Sequence, residues 1–148
     1  MKTTLLFLAT AAMTVCLQAS DFPAGSPKFA TSADTVLTTA KTNGKPTIMV
    51  FSASWCGPCQ EMKKDVYPSA AVKPFHDQFN WAYLDIDVEA NGKLFESHKL
   101  ESVPHLLFLD ASGKTIDQQE GGCTPEEFAK KLVKVLDKAG PAKTVSTN

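Results

Sequence analysis

Arginine is absent from this 148-residue chain. All fifteen basic residues are lysine, set against sixteen Asp and Glu, for a net charge of −1. Without a basic excess or a basic block, the electrostatic footprint of a nucleic-acid-binding protein is missing. Long hydrophobic runs are missing too. The apolar stretch Leu5–Val15, "LLFLATAAMTV", falls well short of the roughly 20 residues that span a bilayer, and no later segment is long enough. Cysteine is scarce, with four in the chain. Setting aside Cys16 in the leader leaves Cys56, Cys59 and Cys123, an odd number that does not make a disulfide framework. A chain of this length builds a core without such staples. No internal repeat or low-complexity tract is present. What is there, 43% hydrophobic and 21% charged residues, suits one globular domain, expected to be a monomer.

The first residues stand apart. Lys2 is the sole charge before Asp21, and the apolar run is followed by "CLQAS", with Ala19 at a cleavage point. This is the pattern of a signal peptide over residues 1–19. Val15 is a poor neighbour for a lipidated cysteine, which counts against Cys16 as a lipid anchor. The expected protein is exported, and the style of the leader suggests a bacterial periplasm. An oxidising compartment makes a Cys56–Cys59 disulfide chemically accessible.

Residues 20–30, "SDFPAGSPKFA", read as a linker, residues 31–140 as one domain and 141–148 as a flexible tail. "TSADTVLTTAKTNGK" is a capped helix, and "PTIMVFSA" a continuous apolar run suited to a buried central strand. "CGPCQEMKKDVY" is helical up to Tyr67-Pro68, with a second helical piece from Ser69 to about Phe79. "NWAYLDID" reads as a strand, "EANGKLFESHKL" as a helix, and "HLLFLD" and "KTIDQQEG" as a hairpin. "TPEEFAKKLVKVLDKAG" carries the clearest signals: Thr124 and Glu127 form a capping box, with Pro125 in the first turn. The resulting order, α-β-α-(α)-β-α-β-β-α, implies an α/β fold with a central mixed β-sheet flanked by helices on both faces.

The chemistry concentrates in "SASWCGPCQEM", Ser52–Met62. A thiolate carries out disulfide exchange. The strand-to-helix placement puts Cys56 at a helix N-terminus, where unpaired N–H groups and the helix dipole favour negative charge. Cys56 is therefore the expected nucleophile. Cys59 lies one turn on, on the same side, and can resolve a mixed disulfide. Gly57 leaves the approach open, Pro58 costs little in a first turn, and Trp55 offers a flat apolar surface. Val103-Pro104 opens a later strand and is a candidate cis peptide beside the cysteines, although Pro104 alone would suggest an ordinary trans bond. The Val103 backbone could hold a substrate in extended form.

"WCGPC" after an apolar strand, "VP" about 45 residues later and "GG" before a capped final helix resemble the thioredoxin family over roughly residues 31–139. "KPTIMVFSASWCGPCQEM" and the Tyr67-Pro68-Ser69 break are similar to the thioredoxin-like domain of membrane thiol–disulfide interchange proteins. The resemblance implies the thioredoxin fold, Cys56 as attacking cysteine, Cys59 as resolving cysteine and Pro104 as the cis-proline. It also implies disulfide-containing or dithiol protein substrates and no dissolved cofactor. The Gly-Pro dipeptide resembles that of reducing thioredoxins. A reductase outside the cytoplasm then needs a membrane-bound or other thiol electron donor. The alternatives are a disulfide oxidase or isomerase, and a peptide-binding or chaperone module that uses Trp55 and the Val103-Pro104 groove. Two positions depart from the family. Val50 stands where cytoplasmic thioredoxins keep a buried Asp, and Tyr83 where they keep its lysine partner. Water, or more weakly Asp85, is left to take the Cys59 proton.

Cys123 follows Gly121-Gly122 in the turn that the resemblance places beside the site. It reads first as a small buried residue, the usual behaviour of a free cysteine, and second as an extra redox thiol. His105 reads as a strand residue ahead of a tuner of the thiolate. Phe29 and Trp81 read as core. A zinc site would need Cys123 and one of His76, His98 or His105 beside the cysteine pair, with no second paired motif to supply them, so no metal is expected.

Overall fold

The computed structural model describes residues 22–141. The expected leader, residues 1–19, and all of the expected tail beyond Pro141 lie outside the described residues. Five strands form one sheet in the order β1-β3-β2-β4-β5: β1 (Phe29–Ala30), β2 (Thr47–Ser52), β3 (Asn80–Asp85), β4 (His105–Leu109) and β5 (Thr115–Glu120). β2 runs parallel to β3 and antiparallel to β4, and β5 pairs antiparallel with β4. All six residues of β2 are buried, which is why its sequence is continuous rather than alternating.

Helices cover both faces. On one, Ile48, Val50, Leu106 and Phe108 meet Met62, Val66, Phe128, Leu132 and Val135. These last belong to the helix after the cysteine pair and to α4 (Pro125–Ala139). On the other, Met49, Phe51, Leu84 and Leu107 meet Val36 of α1 (Ala33–Asn43) and Leu94 and Phe95 of α3 (Glu89–Ser97). The expected mixed sheet between two helical layers is what the chain forms. The caps hold as the residue types predict. Ser32 accepts the Thr35 N–H, Gly44 closes α1 at φ 70°, and the Thr124–Glu127 capping box starts α4.

Several local expectations are corrected. Phe29–Ala30, read as the end of a linker, is an edge strand pairing with Trp81–Ala82. Phe29 packs edge-on against Tyr67, Trp81 and Tyr83. A two-residue strand among Pro, Gly and Ser has no periodicity to read. The helix α2 is regular only over Gly57–Glu61 and continues as a π-helical turn, Met62–Val66, whose last bond runs from Tyr67 N–H to Met62 O. The second helical piece reduces to a 3₁₀ turn, Lys73–Gln78. α3 ends at Ser97 instead of Leu100. Lys99 takes φ 56° and the Leu100 N–H reaches back to Phe95 O, a left-handed stop made without the glycine that usually signals it.

Candidate active site

β2 ends at Ser52, and a short turn through Ala53–Trp55 delivers Cys56 to the N-cap of α2 with extended backbone, φ −90° and ψ 107°. Cys56 and Cys59 form a disulfide, their Cα atoms 5.3 Å apart. The Cys59 N–H points at Cys56 Sγ from 3.3 Å, one of the helix-end donors that would stabilise negative charge on that sulfur in the reduced state. Both residues are largely covered, Cys56 5% exposed and Cys59 1%. Ala53, Ile86 and Val103 pack around them.

The Val103–Pro104 peptide is cis. The Val103 carbonyl oxygen lies 3.5 Å from Cys56 Sγ. The Pro104 carbonyl accepts the Gly121 N–H at 2.8 Å, which ties the proline loop to the turn before α4. That turn closes on the cysteine helix: a Cβ at Gly122 would stand 3.7 Å from Pro58 Cβ. Gly57 and Pro58 are exposed, and nothing lies within 4 Å of a Cβ built on Gly57. Trp55 stands 67% exposed, its indole N–H donating to both carboxylate oxygens of Asp87 at 3.1 and 3.3 Å. Sequence reasoning missed Asp87 and Ile86. Their signal is faint: they follow the end of β3 in "DID", and only the parallel β2–β3 pairing brings them beside the cysteines.

Val50 and Tyr83, the two family departures, are register neighbours across β2 and β3. Val50 is fully buried, and the Tyr83 hydroxyl shares a hydrogen bond with the buried Ser52 hydroxyl. Burial pushes the Tyr83 phenol above its ordinary value against the pull of the Ser52 bond. A neutral hydroxyl pair thus occupies this layer. Asp85 is half-buried, and its carboxylate accepts the Asp87 N–H.

Cys123 is half-buried and free, its sulfur accepting the Gln119 amide N–H at 3.1 Å. Burial pushes its thiol up, the Gln119 bond pulls the other way, and the Glu127 charge adds to the rise. A protonated thiol is a poor nucleophile. His105 is 6% exposed, with neither ring nitrogen hydrogen-bonded. It sits in β4 opposite Phe51. His76 is engaged with the Tyr67 carbonyl, and His98 is exposed. Among the described residues, no three His, Cys, Asp or Glu side chains come together as a metal site.

Comparison with known proteins agrees with this geometry. The family described as thioredoxin-like domain matches residues 33–136, well over half of the chain. The chain is 32% identical over 100 residues to the thioredoxin-like protein HCF164, chloroplastic, of Arabidopsis thaliana, covering 66% of this chain and 36% of that protein. It is 33% identical over 88 residues to the thiol:disulfide interchange protein TxlA homolog of Synechocystis, covering 57% and 46%. The match therefore spans between a third and a half of these relatives. Among solved structures, a thioredoxin from Thermus thermophilus superposes with a TM-score of 0.70 at 23% identity, over 78% of this chain and 91% of that one. The oxidised C-terminal domain of Neisseria meningitidis DsbD superposes at 0.63 with 17% identity, over 74% and 100%. These two likenesses establish the shared fold. With its disulfide-bonded Cys-Gly-Pro-Cys at a helix start, the chain belongs to the thioredoxin-like domain family.

Proposed function

We propose that this protein is an exported reductase of protein disulfides that works through the reversible Cys56–Cys59 disulfide. The observation that carries the reading is the disulfide at the α2 N-cap, seated against the Val103 carbonyl and walled by exposed Trp55, Gly57 and Pro58. In the reduced protein, Cys56 as thiolate attacks one sulfur of a partner disulfide. The partner's other sulfur leaves and takes a proton. Cys59 then loses its proton to water, or to Asp85, and attacks Cys56 Sγ. The second partner thiol departs and two electrons have passed to the partner. No dissolved cofactor enters the cycle.

The reducing direction is supported by the Gly-Pro dipeptide between the cysteines, and export by the leader pattern of residues 1–19. A thiol donor, membrane-bound in this setting, would return the pair to the dithiol. Cys123 is best read as a small, half-buried residue, since burial keeps it a thiol.

The deciding measurement is the equilibrium reduction potential of Cys56–Cys59, titrated against glutathione or dithiothreitol, with Cys123→Ser alongside. The expected value lies near that of thioredoxin, about −270 mV, and unchanged by Cys123→Ser. A value near about −120 mV would make the protein an oxidant. A pair that does not cycle, or a Cys56→Ser variant with full biological activity, would favour a peptide-binding module instead.

A further inference from the structure

Among the described residues, three large hydrophobic side chains are well exposed, and one of them, Trp55, directly precedes the disulfide in the chain. Trp55 is 67% exposed and Val88 54%; Asp87, the chain neighbour of Val88, holds the Trp55 indole N–H. The charges beside the disulfide are mostly acidic. Four segments border the cysteines: 53–61, which contains them; 85–90, through Ile86; 101–105, through Val103; and 119–124, through Gly121 and Gly122. They carry Glu61, Asp85, Asp87, Glu89, Glu101 and Glu120; the lysines next along the chain are Lys63, Lys64, Lys93 and Lys99, and Lys64 lines one pocket with Glu61 and Cys123. All six but the half-buried Asp85 are exposed. Glu89 alone of the six makes a salt bridge, with Lys93 one turn along α3. Glu120 accepts the Ser102 hydroxyl. Lys63, one turn beyond Cys59, is directed onto the Phe22 ring, 4.6 Å from its centroid.

An exposed indole beside carboxylates that no lysine pairs, as Asp87, Glu101 and Glu120 are among the described residues, attracts cationic chains, repels acidic ones, and acts chiefly on the rate of encounter. We infer that this face docks protein segments whose disulfide cysteine is flanked by lysine or arginine. Trp55 covers the partner's apolar side chains, and Asp87, Glu101 and Glu120 meet its cations. The inference rests on the oxidoreductase reading above.

The test uses three disulfide-bonded peptides that differ only in the residues beside cysteine: lysine, glutamate or serine. Each reacts with pre-reduced protein, freed of reductant, in single turnover. The expected result is a lysine peptide reduced about tenfold faster than the glutamate peptide at low salt, with the ratio falling toward one at high salt. In Glu101→Lys the ratio narrows, judged against the serine peptide in the same protein. Equal rates at low salt, or a faster glutamate peptide, overturn the docking inference and leave the reductase standing. No reduction of any peptide removes both.

Discussion

The two active-site cysteines are chemically identical in sequence and different in place. Cys56 caps α2, faces the Val103 carbonyl and is 5% exposed; Cys59, one turn on, is 1% exposed. The proposed order of attack rests on that difference. In Cys59→Ser, Cys56 still attacks but nothing resolves, so a mixed disulfide with a peptide substrate should accumulate and be seen by mass spectrometry. In Cys56→Ser no adduct should form; an adduct on Cys59 in that variant would reverse the assignment. The layer beneath differs from a cytoplasmic thioredoxin in both partners at once. Val50 and Tyr83 leave no lone buried charge where an Asp–Lys pair would sit, which avoids the penalty of breaking such a pair.

Elements set the shape of the pocket through close contacts that single residue types permit. α3 crosses the end of β3 so tightly that a Cβ on Gly92 would lie 2.7 Å from the Ile86 carbonyl oxygen, a backbone atom that cannot swing aside. Ile86 also packs against the disulfide. Gly92→Ala should therefore lower stability by about 1–3 kcal/mol, read as a lower urea midpoint. Gly57→Ala meets open space and should cost less than about 0.5 kcal/mol. An unchanged or raised urea midpoint in Gly92→Ala would mean that the Cβ is accommodated and the higher helix propensity of alanine outweighs the α3–β3 contact.

Across the whole molecule, two of the three ion pairs among the described residues join α4 to β5. Lys131 and Lys138 of α4 clamp Asp117 of β5 at 2.7 and 2.8 Å. Burial pushes the Asp117 carboxyl up, but the two lysine hydrogen bonds outweigh it and hold it at about 2. The unfolded chain binds that proton at about 3.9, so the carboxylate favours the folded state above that pH. The stabilisation is fully present above about pH 4 and is lost as pH falls to about 2. Lys138 is half exposed, so about 1–2 kcal/mol is expected after screening. The difference in urea midpoint between the native protein and Asp117→Asn should shrink across that window. A difference independent of pH would assign the effect to packing.

Local chemistry wrote much of this protein into its residues. The continuous apolar run of β2, the capping box of α4, the Asn43-Gly44 stop and the Cys-Gly-Pro-Cys at a strand-to-helix turn act within a few positions of themselves, so they are legible in one dimension. The rest depends on neighbours far away in the chain. Phe29–Ala30 becomes a strand because Trp81–Ala82 offers free backbone groups and aromatic partners. The π-helical turn forms where Tyr67 must enter the core between Trp81 and Phe128. α3 stops at a lysine because the returning chain needs a left-handed residue there. Ile86 packs on the disulfide, Asp87 meets Trp55 and Glu120 meets Ser102 only when β3, the proline loop and β5 converge on the end of β2. The reactive pair was thus set by sequence, whereas its walls and the sign of charge around it were decided by tertiary structure, because sheet pairing brings together residues that no local spacing relates.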